Sequence, residues 1–144
     1  EMPLSLVGSE MCIRDRIGYS KDDEDSFEIT EGNKDFGKKI SAYYYWIFPN
    51  LMLNFYPWGL SINVITPINK NRTKVSFIQF MMDESKYDLG AGGLIDKVER
   101  EDEFVVEEVS KGLESRYYST GRFSPTKETA IHHFHSLIAK FINS

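Results

Sequence analysis

In 144 positions the chain has one cysteine, Cys12, and five prolines. A single cysteine excludes a disulfide framework and a cysteine-rich metal site. No apolar run approaches the roughly 20 residues needed to cross a bilayer, so no membrane-spanning helix is expected. Acidic residues outnumber basic ones 22 to 17, for a net charge of −5. No basic stripe is visible that would mark a nucleic-acid partner. There is no Gly-x-Gly-x-x-Gly phosphate loop and no Gly-x-Ser-x-Gly elbow. What remains is ordinary for one globular domain, with 41% hydrophobic and 27% charged residues. Aromatic residues are abundant at 14%. They concentrate between Tyr43 and Phe80, as expected of a sheet with one bulky, cavity-lining face.

The stretch Leu6-Val7-Gly8-Ser9-Glu10-Met11-Cys12-Ile13-Arg14-Asp15-Arg16 reads as a translated transposase sequencing adapter. Residues 1–16 are therefore expected to be foreign to the fold. Cys12 lies inside that stretch, so no thiolate chemistry is expected in the remainder. The lack of a native cysteine is compatible with a reducing compartment, and a cytoplasmic location is expected.

From residue 17 to 40 the chain is polar and includes Lys21-Asp22-Asp23-Glu24-Asp25, which reads as a solvated loop. Four strands follow, over Ala42–Phe48, Leu51–Tyr56, Leu60–Thr66 and Lys74–Asp83. Pro49-Asn50, Pro57-Trp58-Gly59 and Asn69–Arg72 separate them. Such short connections predict an antiparallel meander. After the Gly90–Gly93 joint, apolar residues recur at helical spacing from Leu94 to about Tyr118. A last helix is expected over about Thr126–Ile142, with Ser124 as its cap and Pro125 in its first turn. Strands followed by helices make an α+β layer, with residues 41–144 as one unit.

One carboxylate breaks the pattern. At about 100° per residue, Leu94, Ile95, Val98, Val105, Val106, Val109 and Leu113 form one apolar arc, and Asp102 falls inside it. A buried carboxylate must be paired, protonated or bound to a metal. A structural ion pair is one reading of Asp102, and an iron ligand in a site of two histidines and one carboxylate is another. His132, His133 and His135 lie on the last helix, where His132 and His135 can share a face with Glu128. No His-Glu-x-x-His pattern is present, and a structural role is expected for these three.

The string Glu101-Asp102-Glu103-Phe104-Val105-Val106-Glu107-Glu108-Val109, followed by Gly112-Leu113 and Ser115, resembles the iron-ligand helix of Rieske-type non-haem iron oxygenases. Gly121-Arg122-Phe123-Ser124-Pro125, Glu128 and His132-His133-Phe134-His135 resemble their C-terminal segment. Tyr43–Asn50 and Asn54–Gly59 resemble their catalytic-domain strands. The choline- and carnitine-monooxygenase-like large (alpha) subunits are the most similar branch. The likeness runs from about Phe27 to Asn143. It implies an α+β helix-grip fold of the START/Bet v 1 type, here incomplete. It also implies that Asp102 is the carboxylate ligand of a mononuclear Fe(II).

Further implications are a [2Fe-2S] cluster in a preceding domain, NAD(P)H electrons arriving through a reductase or ferredoxin component, O2, a small-molecule substrate and a homotrimer. Two departures stand out. Ser110 occupies a position where the family commonly has Gln, and the two histidine iron ligands of the family lie upstream of the segment present here. The competing expectations are a non-catalytic helix-grip domain that binds a hydrophobic small molecule, and a structural domain with Asp102 in an ion pair.

Overall fold

The computed structural model describes residues 12–20, 25–87 and 93–144, with side chains described for 16–20, 25–87 and 100–144. The chain forms β1 (Cys12–Tyr19), β2 (Ile40–Ile47), β3 (Leu51–Tyr56), β4 (Gly59–Asn69) and β5 (Arg72–Met81). A single 3-10 turn, Glu84–Lys86, leads on to α1 (Gly93–Leu113) and α2 (Thr129–Ile142). All strand pairs are antiparallel, and the sheet order is the sequence order. The α+β meander expected from the short turns is what forms, with one strand more than the four expected.

The additional strand is β1. It takes in Cys12–Arg16 from the stretch read as adapter and Ile17–Tyr19 from the polar segment. Its register with β2 is irregular at Arg14/Arg16 and again at Gly18/Tyr19. The segment Arg14-Asp15-Arg16 has no apolar alternation to announce a strand. Pairing with β2, rather than side-chain pattern, makes it one. Residues 1–11 of the adapter reading, positions 21–24 of the charged run and most of the glycine joint lie outside the described residues.

The helices are shorter than their apolar periodicity suggests. α1 ends at Leu113, one residue beyond Gly112, and the chain then turns through Ser115 N–H to Gly112 O and Tyr118 N–H to Ser115 O. Glycine lowers helix stability, and here it sits where the helix stops. α2 begins at Thr129 with Glu128 as its N-cap residue. Pro125–Lys127 is instead a turn, closed by Lys127 N–H to Ser124 Oγ at 3.2 Å and Ser124 N–H to Glu128 Oε2 at 2.6 Å.

Register separates the two faces of the sheet, because directly opposed residues point to the same side. One face stacks Tyr45–Leu53–Ile62–Ile78 and Tyr43–Phe55–Leu60–Phe80. These two rows are apolar or aromatic from β2 to β5. The other face stacks Tyr44–Asn54–Ser61–Gln79 and Trp46–Met52–Asn63–Phe77, so its middle is polar. α2 packs on this second face. Phe134 meets Trp46 and Phe48 at 5.1 and 5.8 Å, and Phe141 meets Phe48 at 4.9 Å. Leu137 and Phe48 are buried there.

The polar segment before β2 is not wholly solvated, contrary to its composition. Asp35 is only 2% exposed. Its carboxylate accepts from Lys38 Nζ at 2.7 Å and from the Tyr43 hydroxyl at 3.4 Å, and its own N–H donates to Asn33 Oδ1 at 2.9 Å. Gly32 and Gly37 flank this knot with φ of 88° and 78°, a left-handed geometry that favours glycine. The knot holds the segment against β2, where Phe27 reaches the ring of Tyr43 at 5.4 Å.

Candidate functional site

Asp102 lies near the middle of α1. It is exposed, as is every residue from Arg100 to Leu113. Val105, Val106, Val109 and Leu113 of the expected apolar arc are exposed with it, Val106 by 67%. The expectation that Asp102 is a buried carboxylate is therefore corrected for this chain. The arc exists on the helix, but among the described residues nothing covers it. Asp102 has no ion-pair partner among them either.

His132 and His135 are brought together, but around an aromatic ring. Phe123 stands edge-on to both, at 5.5 and 5.1 Å. Glu128, which spacing places on the same face, binds the Ser124 N–H instead. Among the described residues no three His, Cys, Asp or Glu side chains come together as a metal-binding group. One exposed carboxylate on α1 does not fit an iron ion by itself. The described residues do not make a complete centre.

Two further features carry site-like chemistry. On the apolar face, Phe27, Tyr43, Tyr45, Leu53 and Phe55 line an open pocket of about 400 Å³. The aromatic crowding between Tyr43 and Phe80 announces this pocket, although Phe27 comes from the segment expected to be loop. Tyr45 and Phe55 contribute an edge-to-face pair at 5.7 Å. Such a lining suits an apolar or cationic small molecule.

The opposite face holds the buried polar residues Asn54, Ser61 and Asn63, exposed by 5%, 2% and 4%. The Ser61 hydroxyl donates to Asn63 Oδ1 at 3.3 Å. Sequence reasoning passed over these three. Ser61 and Asn63 alternate with Leu60, Ile62 and Val64 and therefore look like the solvent side of a strand. The signal that could have found Asn54 is the bulky neighbourhood of Trp46, Tyr56 and Trp58, which can bury a small polar residue on the same face.

Among the described residues no helix is long and apolar enough to cross a membrane. Residues 14–144 match the family described as ring hydroxylating alpha subunit (catalytic domain). Choline monooxygenase, chloroplastic, from Arabidopsis thaliana is 32% identical over 139 residues, covering 93% of this chain and 31% of that protein. The Beta vulgaris protein of the same name is 28% identical over 130 residues, covering 88% of this chain and 27% of that protein. The Spinacia oleracea protein is 33% identical over 101 residues, covering 67% and 23%. The chain thus spans less than a third of the length of these curated relatives. No solved structure matches it. With the sheet, the two helices and the match in agreement over nearly the whole sequence, the chain belongs to the ring-hydroxylating alpha-subunit family, in its catalytic domain.

Proposed function

We propose that the chain is the C-terminal part of the catalytic domain of a Rieske-type oxygenase, and that the intact protein uses O2 and reductase-derived electrons to hydroxylate a small organic substrate. The observation that carries this reading is the family match over residues 14–144, which includes Asp102 and its helix. In the intact protein Asp102 would be the carboxylate ligand of a mononuclear Fe(II). Two histidines and a [2Fe-2S] cluster would come from sequence outside this chain. One carboxylate cannot hold catalytic iron without them, so the chain alone is expected to be inactive.

The substrate class in this proposal is an aromatic compound or a quaternary amine. The aromatic lining around Tyr43, Tyr45 and Phe55 supports either, since ring faces attract cations and stack on arenes. The relatives are named choline monooxygenases, which favours the amine. NAD(P)H through a ferredoxin or reductase, a homotrimeric assembly and a cytoplasmic location complete the proposal. The plant relatives are named chloroplastic, and an organellar location would leave the chemistry unchanged. Residues 1–16 are read as translated adapter in place of the parent protein's own residues.

The test is iron content and substrate-dependent O2 consumption in the intact protein, with and without Asp102→Ala. Loss of both in the variant supports the proposal. The second reading, a domain that only binds a hydrophobic molecule, rests on the Phe27–Phe55 pocket. It predicts ligand binding with no iron and no O2 consumption.

A further inference from the structure

Two polar atoms on the face that carries α2 are buried and have no hydrogen-bond partner among the described residues: Asn54 Oδ1 and Trp46 Nε1. The first is an acceptor on a residue 95% buried, and the second is a donor that can do nothing else. Tyr44 is directly opposite Asn54 in the β2–β3 ladder, and Trp46 is opposite Met52. Trp46 and Asn54 are therefore diagonal neighbours on one face, a separation that aromatic side chains span. A buried polar atom without a partner is costly, and a native sheet rarely keeps two on one face.

The pair is complementary. One O–H group placed between them would donate to Asn54 Oδ1 and accept from the Trp46 indole N–H. A carboxylate could not donate to Asn54, and an ammonium could not accept from Trp46. Ser61, opposite Asn54 on β4, donates its hydroxyl proton to Asn63 Oδ1 and so not to Asn54.

We propose that Asn54 and Trp46 form a binding site for a single hydroxyl group, supplied either by one ordered water or by the alcohol of a small ligand. The site is on the face opposite the Phe27–Phe55 pocket and stands independently of the oxygenase reading.

The experiment is ultraviolet resonance Raman spectroscopy of the full 144-residue chain carrying Trp58→Phe, so that the indole N–H band reports Trp46 alone. A hydrogen-bonded band in plain buffer that moves to the free position in Asn54→Leu identifies an ordered water and supports the proposal. A free band in buffer that moves to the bonded position with choline, but not with hydroxyl-free tetramethylammonium, identifies a ligand alcohol and also supports it. A band that is free under every condition overturns the proposal, as does one that stays bonded whatever occupies position 54. Asn54→Val reads the same band if Asn54→Leu does not fold.

Discussion

Trp46 on β2 and Phe134 on α2 meet edge to face with ring centroids 5.1 Å apart. With Phe48 between Phe134 and Phe141, they form the aromatic seam that holds the last helix on the sheet. Leu137 is fully buried along the same helix. Aromatic pairs of this geometry add to the stabilisation from area burial alone.

Removing the ring at the centre of that seam should free α2. Phe134→Ala is expected to cost about 2–4 kcal/mol, toward the low end of large-to-small core changes because the residue is half-buried. Urea unfolding followed by tryptophan fluorescence checks it. An unchanged midpoint would mean that the seam contributes little.

Asp35 offers a second test. Its partner Lys38 is 44% exposed on its side chain and can return to water when the carboxylate is lost. Asp35→Ala should therefore cost about 1–3 kcal/mol, the range for losing charged hydrogen bonds, and less than stranding a fully buried ion. The same change should loosen Tyr43 and Phe27 and weaken binding of apolar probes to their pocket. Probe fluorescence in the variant measures this, and undiminished binding would separate the knot from the pocket.

A pH dependence follows from the link between β5 and α1. Lys86 Nζ is 2.6 Å from Asp25 Oδ2, and this hydrogen bond raises its ammonium above the ordinary lysine value. Hydrogen bonds from the Ser85 side chain and backbone hold the Asp83 carboxyl below the ordinary aspartate value. The Lys86 contribution is complete below the ordinary lysine value and fades as pH rises through the raised one. The Asp83 contribution is complete above the ordinary aspartate value and fades as pH falls through the lowered one. Protease susceptibility of the Glu84–Lys86 turn should be flat through neutral pH and rise at both extremes. Lys86→Gln should abolish the alkaline dependence and Asp83→Ala the acidic one, whereas an unchanged alkaline profile in Lys86→Gln would remove Asp25–Lys86 from the account.

The strands from β2 to β5 were legible because their proline, glycine and asparagine turns punctuate runs of β-branched and aromatic residues. β1 was not, since Arg14-Asp15-Arg16 shows no alternation and is a strand only through its pairing with β2. Asp35 was hidden by its neighbours: a lone buried carboxylate among Lys34, Lys38 and Lys39 looks like solvated surface. The apolar arc of α1 was legible as a pattern. The arc implies burial of Asp102 only where something covers it, and none of the described residues does. Ser61 and Asn63 are not legible as core because alternation places polar residues toward solvent. Both are buried all the same.

Exposure of Asp102 makes a paired prediction. In the 144-residue chain, Asp102→Ala should change stability by no more than about 0.5 kcal/mol, as for surface substitutions. In the intact protein the same change should leave the fold in place and remove the iron. Chemical denaturation of the chain and metal analysis of the intact protein check the two halves. A loss of several kcal/mol in the chain would instead reveal a structural ion pair.

The most direct test of the central claim is to sequence the source locus outward from the codon for Ile17. The account predicts an upstream frame that encodes a Cys-x-His…Cys-x-x-His cluster motif and a His-x4-His pair, with the sequence now read as residues 1–16 absent. A frame that continues without those ligands would contradict the oxygenase proposal and leave the hydrophobic-ligand domain as the better account.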